Sequence, residues 1–292
     1  MKRLITVCCL LVTTDAVARA SNFIYGNSYG NSGITEFDKT TGAVVNTYTG
    51  LVESNGRGVV VVGSTLYYTD ASSGSVSDYN LTTGTNIGTA FTVAGTSGLA
   101  TMAYDGTNFW IGDYSGTNHA YLYTPTGTLL KTISLTDCTG YCDGLEYFVA
   151  NGQPGLTSGQ GYLISNEGDG VGPYDVYDLN GNLIIHDFLN TAAAGINCSS
   201  VLCTGVAFDG TNFYTSNLYA HTFDEWNGVS GAFIQTIALT GSPGNGIEDL
   251  SADYSVVLGP PPSGVPEPSS LMLLGTGLVG AFGAFRRRFS KV

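Results

Sequence analysis

Short runs in which Val, Ile, Leu, Phe and Tyr alternate with Thr, Ser and Asn recur through the middle of the chain, separated by Gly-containing turns. Alternation of period two marks half-buried β-strands, and these residue types fit a pleated surface. The pattern repeats. Tyr104-Asp105-Gly106-Thr107-Asn108-Phe109-Trp110 matches Phe208-Asp209-Gly210-Thr211-Asn212-Phe213-Tyr214, and downstream Leu129–Leu135 matches Phe233–Leu239. A turn glycine precedes the second element in each copy, and the same turn recurs at Gly42, Gly84, Gly127, Gly181 and Gly231, with spacings of 42, 43, 54 and 50 residues. A tight hairpin needs positive φ there, which glycine adopts without a steric penalty.

Each unit is predicted to hold four strands; in the third they fall near 98–104, 108–113, 120–124 and 128–134. Similar sets begin near Gly58, Gly144 and Gly205. Four short strands in a repeat of this length describe a β-propeller blade, whereas a parallel solenoid has shorter repeats and needs no hairpin turn in each. Residues 21–49 supply three strands and lack a Gly-led inner strand; Gly246–Tyr254 provides one at the far end. Pairing them closes the ring and removes two open sheet edges. The predicted fold is therefore all-β, a propeller over 21–258 with five blades, or six if 144–190 hides a further hairpin.

The two ends depart from this pattern. Met1-Lys2-Arg3, an apolar run from Leu4 to Val12 and the small-x-small site Ala18-Arg19-Ala20 describe a secretory signal peptide over 1–20, cleaved after Ala20 by signal peptidase. Residues 259–264 are a Pro/Gly linker that cannot continue a sheet. Val265-Pro266-Glu267-Pro268 follows, and Ser269–Phe285 is an uncharged run of 17 residues ending in Arg286-Arg287-Arg288. That length is the lower limit for a transmembrane helix, and the basic cluster should stay cytoplasmic.

Composition narrows function by exclusion. Gly is 41 of 292 residues, and Lys plus Arg total only 10 against 23 Asp plus Glu, a net charge of −13. Residues 21–264 keep three basic groups, Lys39, Arg57 and Lys131, against 21 acidic ones, so the body carries −18. Such a surface repels nucleic acid and anionic polymers and attracts cations. The 43% hydrophobic content argues against disorder, and the scarcity of helix formers argues against a long helical protein.

Candidate chemistry follows from the repeat. Asn27, Asp70, Asp113, Asn166 and Asn217 end the second strand of successive units, and Glu146 and Glu248 each stand two residues after a glycine that opens an inner strand. In an antiparallel hairpin both sets face one mouth of the central channel. Oxygen donors of this kind suit a hard cation such as Ca²⁺; equally, Asn and Asp end strands and form Asx turns without one. Cys138, Cys142, Cys198 and Cys203 lie outside the signal segment, and export favours disulfides over a zinc site with these loose spacings. Three pairings are open; Cys138–Cys142 and Cys198–Cys203 are favoured, each within a loop that leads into the next blade. Gly26-Asn27-Ser28-Tyr29-Gly30 matches G-x-S-x-G, but no helix is predicted after it, so a nucleophile elbow is not expected. His119, His186 and His221 share no register and read as surface or packing residues. The many tyrosines, with Trp110 and Trp226, read as core between blades more simply than as a carbohydrate-stacking surface.

The Pro-Glu-Pro box, apolar segment and Arg cluster together resemble the PEP-CTERM sorting signal of Gram-negative bacteria, over residues 265–288. The resemblance implies processing by exosortase, an inner-membrane-anchored intermediate, and a surface or extracellular-matrix destination, often in strains that make exopolysaccharide. The repeat resembles NHL-like and lactonase-like propellers, and in the latter comparable Glu, Asn and Asp residues hold a channel metal. Two functions follow as expectations: a non-enzymatic surface protein that binds extracellular polysaccharide or protein, and, as the alternative, a Ca²⁺-dependent hydrolase or lactonase with its site at the channel mouth.

Overall fold

In a computed structural model the described residues are 21–258, apart from 31, 32, 115, 169 and 242–245. The signal segment, the Pro/Gly linker, the sorting segment and the apolar run 269–285 lie outside them. Among the described residues no helix is long and apolar enough to cross a membrane.

Among the described residues, twenty strands form five four-stranded antiparallel sheets. Blade 1 holds β1 (Phe23–Ser28), β2 (Ile34–Asp38) and β3 (Val44–Tyr48). Blade 2 is β4 (Gly56–Val62), β5 (Thr65–Asp70), β6 (Ser75–Asn80) and β7 (Thr85–Thr92). Blade 3 is β8 (Leu99–Tyr104), β9 (Phe109–Asp113), β10 (His119–Tyr123) and β11 (Leu129–Ser134), within a residue of the predicted spans. Blade 4 is β12 (Leu145–Val149), β13 (Gly161–Gly168), β14 (Val171–Tyr177) and β15 (Leu183–Leu189). Blade 5 is β16 (Cys203–Phe208), β17 (Asn212–Asn217), β18 (Thr222–Asn227) and β19 (Phe233–Ala238). The last strand, β20 (Ile247–Ser251), pairs with β1 and becomes the inner strand of blade 1. The stretch 144–190 forms one blade, so the ring has five.

The inner strands β20, β4, β8, β12 and β16 follow one another around the axis, each touching the next. Blades pack through large side chains set by the strand alternation. Phe148, Phe208 and Phe213 fill the space between blades 4 and 5, and Phe37 meets Phe223 edge-on between blades 1 and 5. Trp110 and Trp226 are both 1% exposed, which makes them core.

The five turn glycines have φ between +67° and +86°. Four of them carry a second constraint. A Cβ on Gly42, Gly181 or Gly231 would stand 2.0–2.2 Å from a carbonyl oxygen of the preceding blade's outer strand, and one on Gly127 would stand 2.9 Å from Phe91. The turn chemistry and the interblade spacing thus select glycine together.

Two short helices matter for the axis. The first, α1 (Cys198–Val201), leads into blade 5, and the second, α2 (Tyr254–Val257), follows β20. Asp253 caps α2 by accepting from Ser255 N at 2.9 Å, and also accepts from Gly63 N at 2.9 Å. This fixes α2 against the end of β4 remote from residue 56.

Candidate functional site at the channel mouth

Asn27, Asp70, Asp113, Asn166 and Asn217 stand within two residues of the ends of β1, β5, β9, β13 and β17. Each is engaged in hydrogen bonds within the fold. Asn27 donates through Nδ2 to Gly58 O at 3.1 Å and to Glu53 Oε2 at 3.2 Å. Burial raises Asp70, but the Ser72 hydroxyl and the backbone N–H groups of Ser54, Ser72 and Asn55 all donate to it and together hold it below the usual carboxylate range. Asp113 accepts from Thr117 Oγ1 at 2.9 Å and Tyr121 Oη at 2.8 Å. Asn166 accepts from Asp143 N and Gly144 N and donates to Cys203 O, which links blade 4 to blade 5. Asn217 donates to Asp224 and Thr222.

The two glutamates separate. In β12, Glu146 lies opposite Ile164, which stands two residues before Asn166. The residue in that place in blade 1 is Ser251, opposite Tyr25. Glu248 falls in a bulge, because Asn27 pairs with Asp249 and Ser28 with Ile247. Similar bulges interrupt β4, β8 and β16 at the same end. A bulge adds one residue and re-aims the side chains around it, so a register counted from the glycines is displaced. Among the described residues one group brings three or more His, Cys, Asp or Glu ligand atoms within 4.8 Å of one another, namely Asp137, Glu167, Asp175 and His186. It contains none of the seven residues placed in the predicted Ca²⁺ ring.

At the mouth, the bulges in β4 and β20 turn Arg57 and Glu248 toward each other. Nη1 of Arg57 lies 2.7 Å from Oε1 of Glu248, and both side chains are about one-twentieth exposed. The guanidinium sits 4.7 Å from the ring centre of Tyr114 and 5.3 Å from that of Tyr29, and Nη2 donates to Tyr114 Oη at 3.1 Å. Tyr141 packs on Tyr114 at 4.5 Å between ring centres. Burial opposes the cation, but Glu248, with Tyr114 and Asp143 behind it, more than offsets this and holds Arg57 charged. The result is a stopper of one ion pair and three tyrosines.

Deeper in the axis, Asp249 is wholly buried and accepts from Thr101 Oγ1 at 2.9 Å, Val59 N at 3.3 Å and Met102 N at 3.4 Å, so one carboxyl joins blade 1 to blades 2 and 3. Glu146 accepts from the hydroxyl of Tyr254, which reaches in from α2. Burial pushes both carboxyls well above their ordinary range, and for Glu146 the charge of Asp249 adds to it. Arg57, Asp249 and Tyr254 are the residues that sequence reasoning missed. The available signal for Arg57 was its rarity, as one of three basic groups in the body, between Gly56 and Gly58 at the start of an inner strand.

The cysteines form Cys138–Cys142, in the loop before β12, and Cys198–Cys203, from α1 to the start of β16. Ser28 ends β1 in a turn that leads to another strand, without the strand-to-helix geometry of a nucleophile elbow.

The geometry defines a closed five-bladed propeller, and comparison with known proteins agrees. A chain in a solved structure described as the crystal structure of a nidogen/laminin complex is similar over 78% of this chain and 97% of its own, with a TM-score of 0.50 at 12% identity. At that identity the likeness is one of fold alone. Residues 264–288 match the PEP-CTERM protein-sorting motif, which marks a chain for export to the cell envelope and for processing by exosortase. No curated protein matches the chain in sequence.

Proposed function

We propose that this chain is a non-enzymatic binding protein of the bacterial surface or extracellular matrix, delivered by its sorting tail. The observation that carries the reading is the stoppered channel. The carboxylates of the alternative hydrolase are otherwise engaged, Glu248 by Arg57 and Glu146 by Tyr254. With those carboxylates engaged, partner recognition falls to the exposed loops and blade faces. The neighbour's title describes a protein complex, which lends support to a recognition role. The charge of −18 over residues 21–264 disfavours a polyanionic partner and favours a neutral, hydroxyl-rich polysaccharide or a basic protein.

The test is made in cells. Full-length chain should be accessible on intact cells, and a chain lacking 265–292 should be released to the medium. Surface retention without those residues would overturn the sorting role. Metal-dependent ester or lactone hydrolysis by the purified protein, abolished by Glu146→Gln or Glu248→Gln, would overturn the non-enzymatic reading.

A further inference from the structure

Blade 4 carries a second cluster, on the outer part of the sheet at the end where the Cys138–Cys142 loop enters. Asp175, on β14, is wholly buried. Around it stand Asp137 from the loop, Glu167 from β13, and His186 and Asp187 from β15. Two bulges create the arrangement. The β13–β14 register slips between Asn166 and Gly168, which turns Glu167 out of the ladder. The β14–β15 register jumps from Tyr174↔Leu189 to Val176↔Ile185, so His186, Asp187 and Phe188 oppose Asp175 alone.

Both imidazole nitrogens face carboxylates. Nε2 of His186 is 3.1 Å from Asp137 Oδ2 and 3.6 Å from Glu167 Oε1, and Nδ1 is 3.0 Å from Asp187 Oδ1. A neutral imidazole has one N–H, so one ring lone pair then points at a carboxylate. Lys39, Arg57 and Lys131, the basic side chains of the body, pair elsewhere, with Asp209, with Glu248, and with Leu179 O and Asn180 respectively. A second observation concerns Asp175 itself. Its Oδ1 accepts from Asp187 N at 2.7 Å, and its Oδ2 accepts a single long hydrogen bond, from the Tyr177 hydroxyl at 3.4 Å. A fully buried carboxylate oxygen held by one long hydrogen bond gains from a cation placed beside it.

We infer that Asp137, Glu167, Asp175 and His186 form a site for a divalent cation. The four ligand atoms already lie within 4.8 Å of one another. One imidazole with three carboxylates suits a first-row ion of the Mn²⁺ to Zn²⁺ type better than Ca²⁺, which prefers an all-oxygen shell. The ion joins β13, β14 and β15 to the loop 135–143, which Thr139 N already ties to Glu167 O at 2.8 Å. That loop leads to Tyr141 and Asp143 at the mouth, so the ion fixes the rim that the channel stopper uses.

Full-length chain purified in detergent is titrated with ZnCl₂, MnCl₂, CaCl₂ and MgCl₂, by calorimetry and by thermal melting. The expected result is one Zn²⁺ or Mn²⁺ bound per chain with a raised melting temperature. His186→Gln and Glu167→Gln, at positions where both side chains reach solvent, should fold normally and weaken binding by about tenfold or more. No binding of Zn²⁺ or Mn²⁺ by the wild type would overturn the site. Binding that both variants leave unchanged, or binding of Ca²⁺ alone, would overturn the assignment of these ligands.

Discussion

The Arg57–Glu248 pair offers a test of how the mouth is held. Substituting Glu248→Leu leaves a buried guanidinium, and Arg57→Met leaves a buried carboxylate at Glu248. With Nη1 and Oε1 2.7 Å apart the charge centres are about 4 Å apart, which gives about 4 kcal/mol at an effective dielectric of 20. Breaking such a buried pair from one side costs about 3–5 kcal/mol, because the remaining charge stays desolvated. For a domain of this size about 1 kcal/mol shifts Tm by roughly 2–4 °C, so each single variant should melt about 6–20 °C lower. The double variant Arg57→Met/Glu248→Leu replaces two charges by apolar groups of similar length and should recover most of that loss. Urea unfolding of the four proteins gives the coupling free energy directly. Additive single effects, with no recovery in the double variant, would refute the idea that each charge is there to neutralise the other. Intact stability in both singles would show that the mouth is solvated and is no stopper.

Two further outcomes follow from named residues. Burial pushes Glu53 up to about 8, against the donors Asn27 and Gly33 N and with the charge of Asp70 adding to the rise. A carboxyl raised on folding contributes stability that is complete below its unfolded value of about 4.5 and is lost as pH rises toward 8. Urea midpoints should therefore fall across that window, and Glu53→Gln should flatten the slope; an unchanged slope would refute the assignment. Each disulfide closes a loop of sequence separation 4 or 5, so reducing either should cost only about 2 kcal/mol, read as a shifted urea midpoint with the ring still folded. Loss of the β-sheet circular dichroism on reduction would show instead that the bonds hold the ring together.

The local rules of the chain determined a good deal by themselves. Period-two alternation and the turn glycines 42, 84, 127, 181 and 231 define five hairpin repeats, because strand faces and positive φ depend on a few adjacent residues. The orphan inner strand near residue 247 determines closure, since the first repeat lacks one. The sorting tail is likewise legible, as a contiguous string that a processing enzyme reads without a folded context. The placement of Asn27, Asp70, Asp113, Asn166 and Asn217 near strand ends also followed from sequence, because it depends only on counting to the end of a strand.

What the sequence did not settle is which side chains meet. The bulges in β4, β8, β16 and β20 each add a residue on the inner strand only, and a count from Gly144 and Gly246 therefore equated Glu146 with Glu248 when Ser251 is its counterpart. Tyr254 reaches Glu146 across 108 residues of sequence, from a helical turn placed by the cap at Asp253. Arg57 finds Glu248 only after β20 has closed the ring, and His186 finds Asp137 only after two bulges have displaced it. Contacts of this kind depend on irregularities in pairing and on the ring's closure, which no period in the chain encodes, so tertiary structure alone decided the mouth, the axis and the blade 4 cluster.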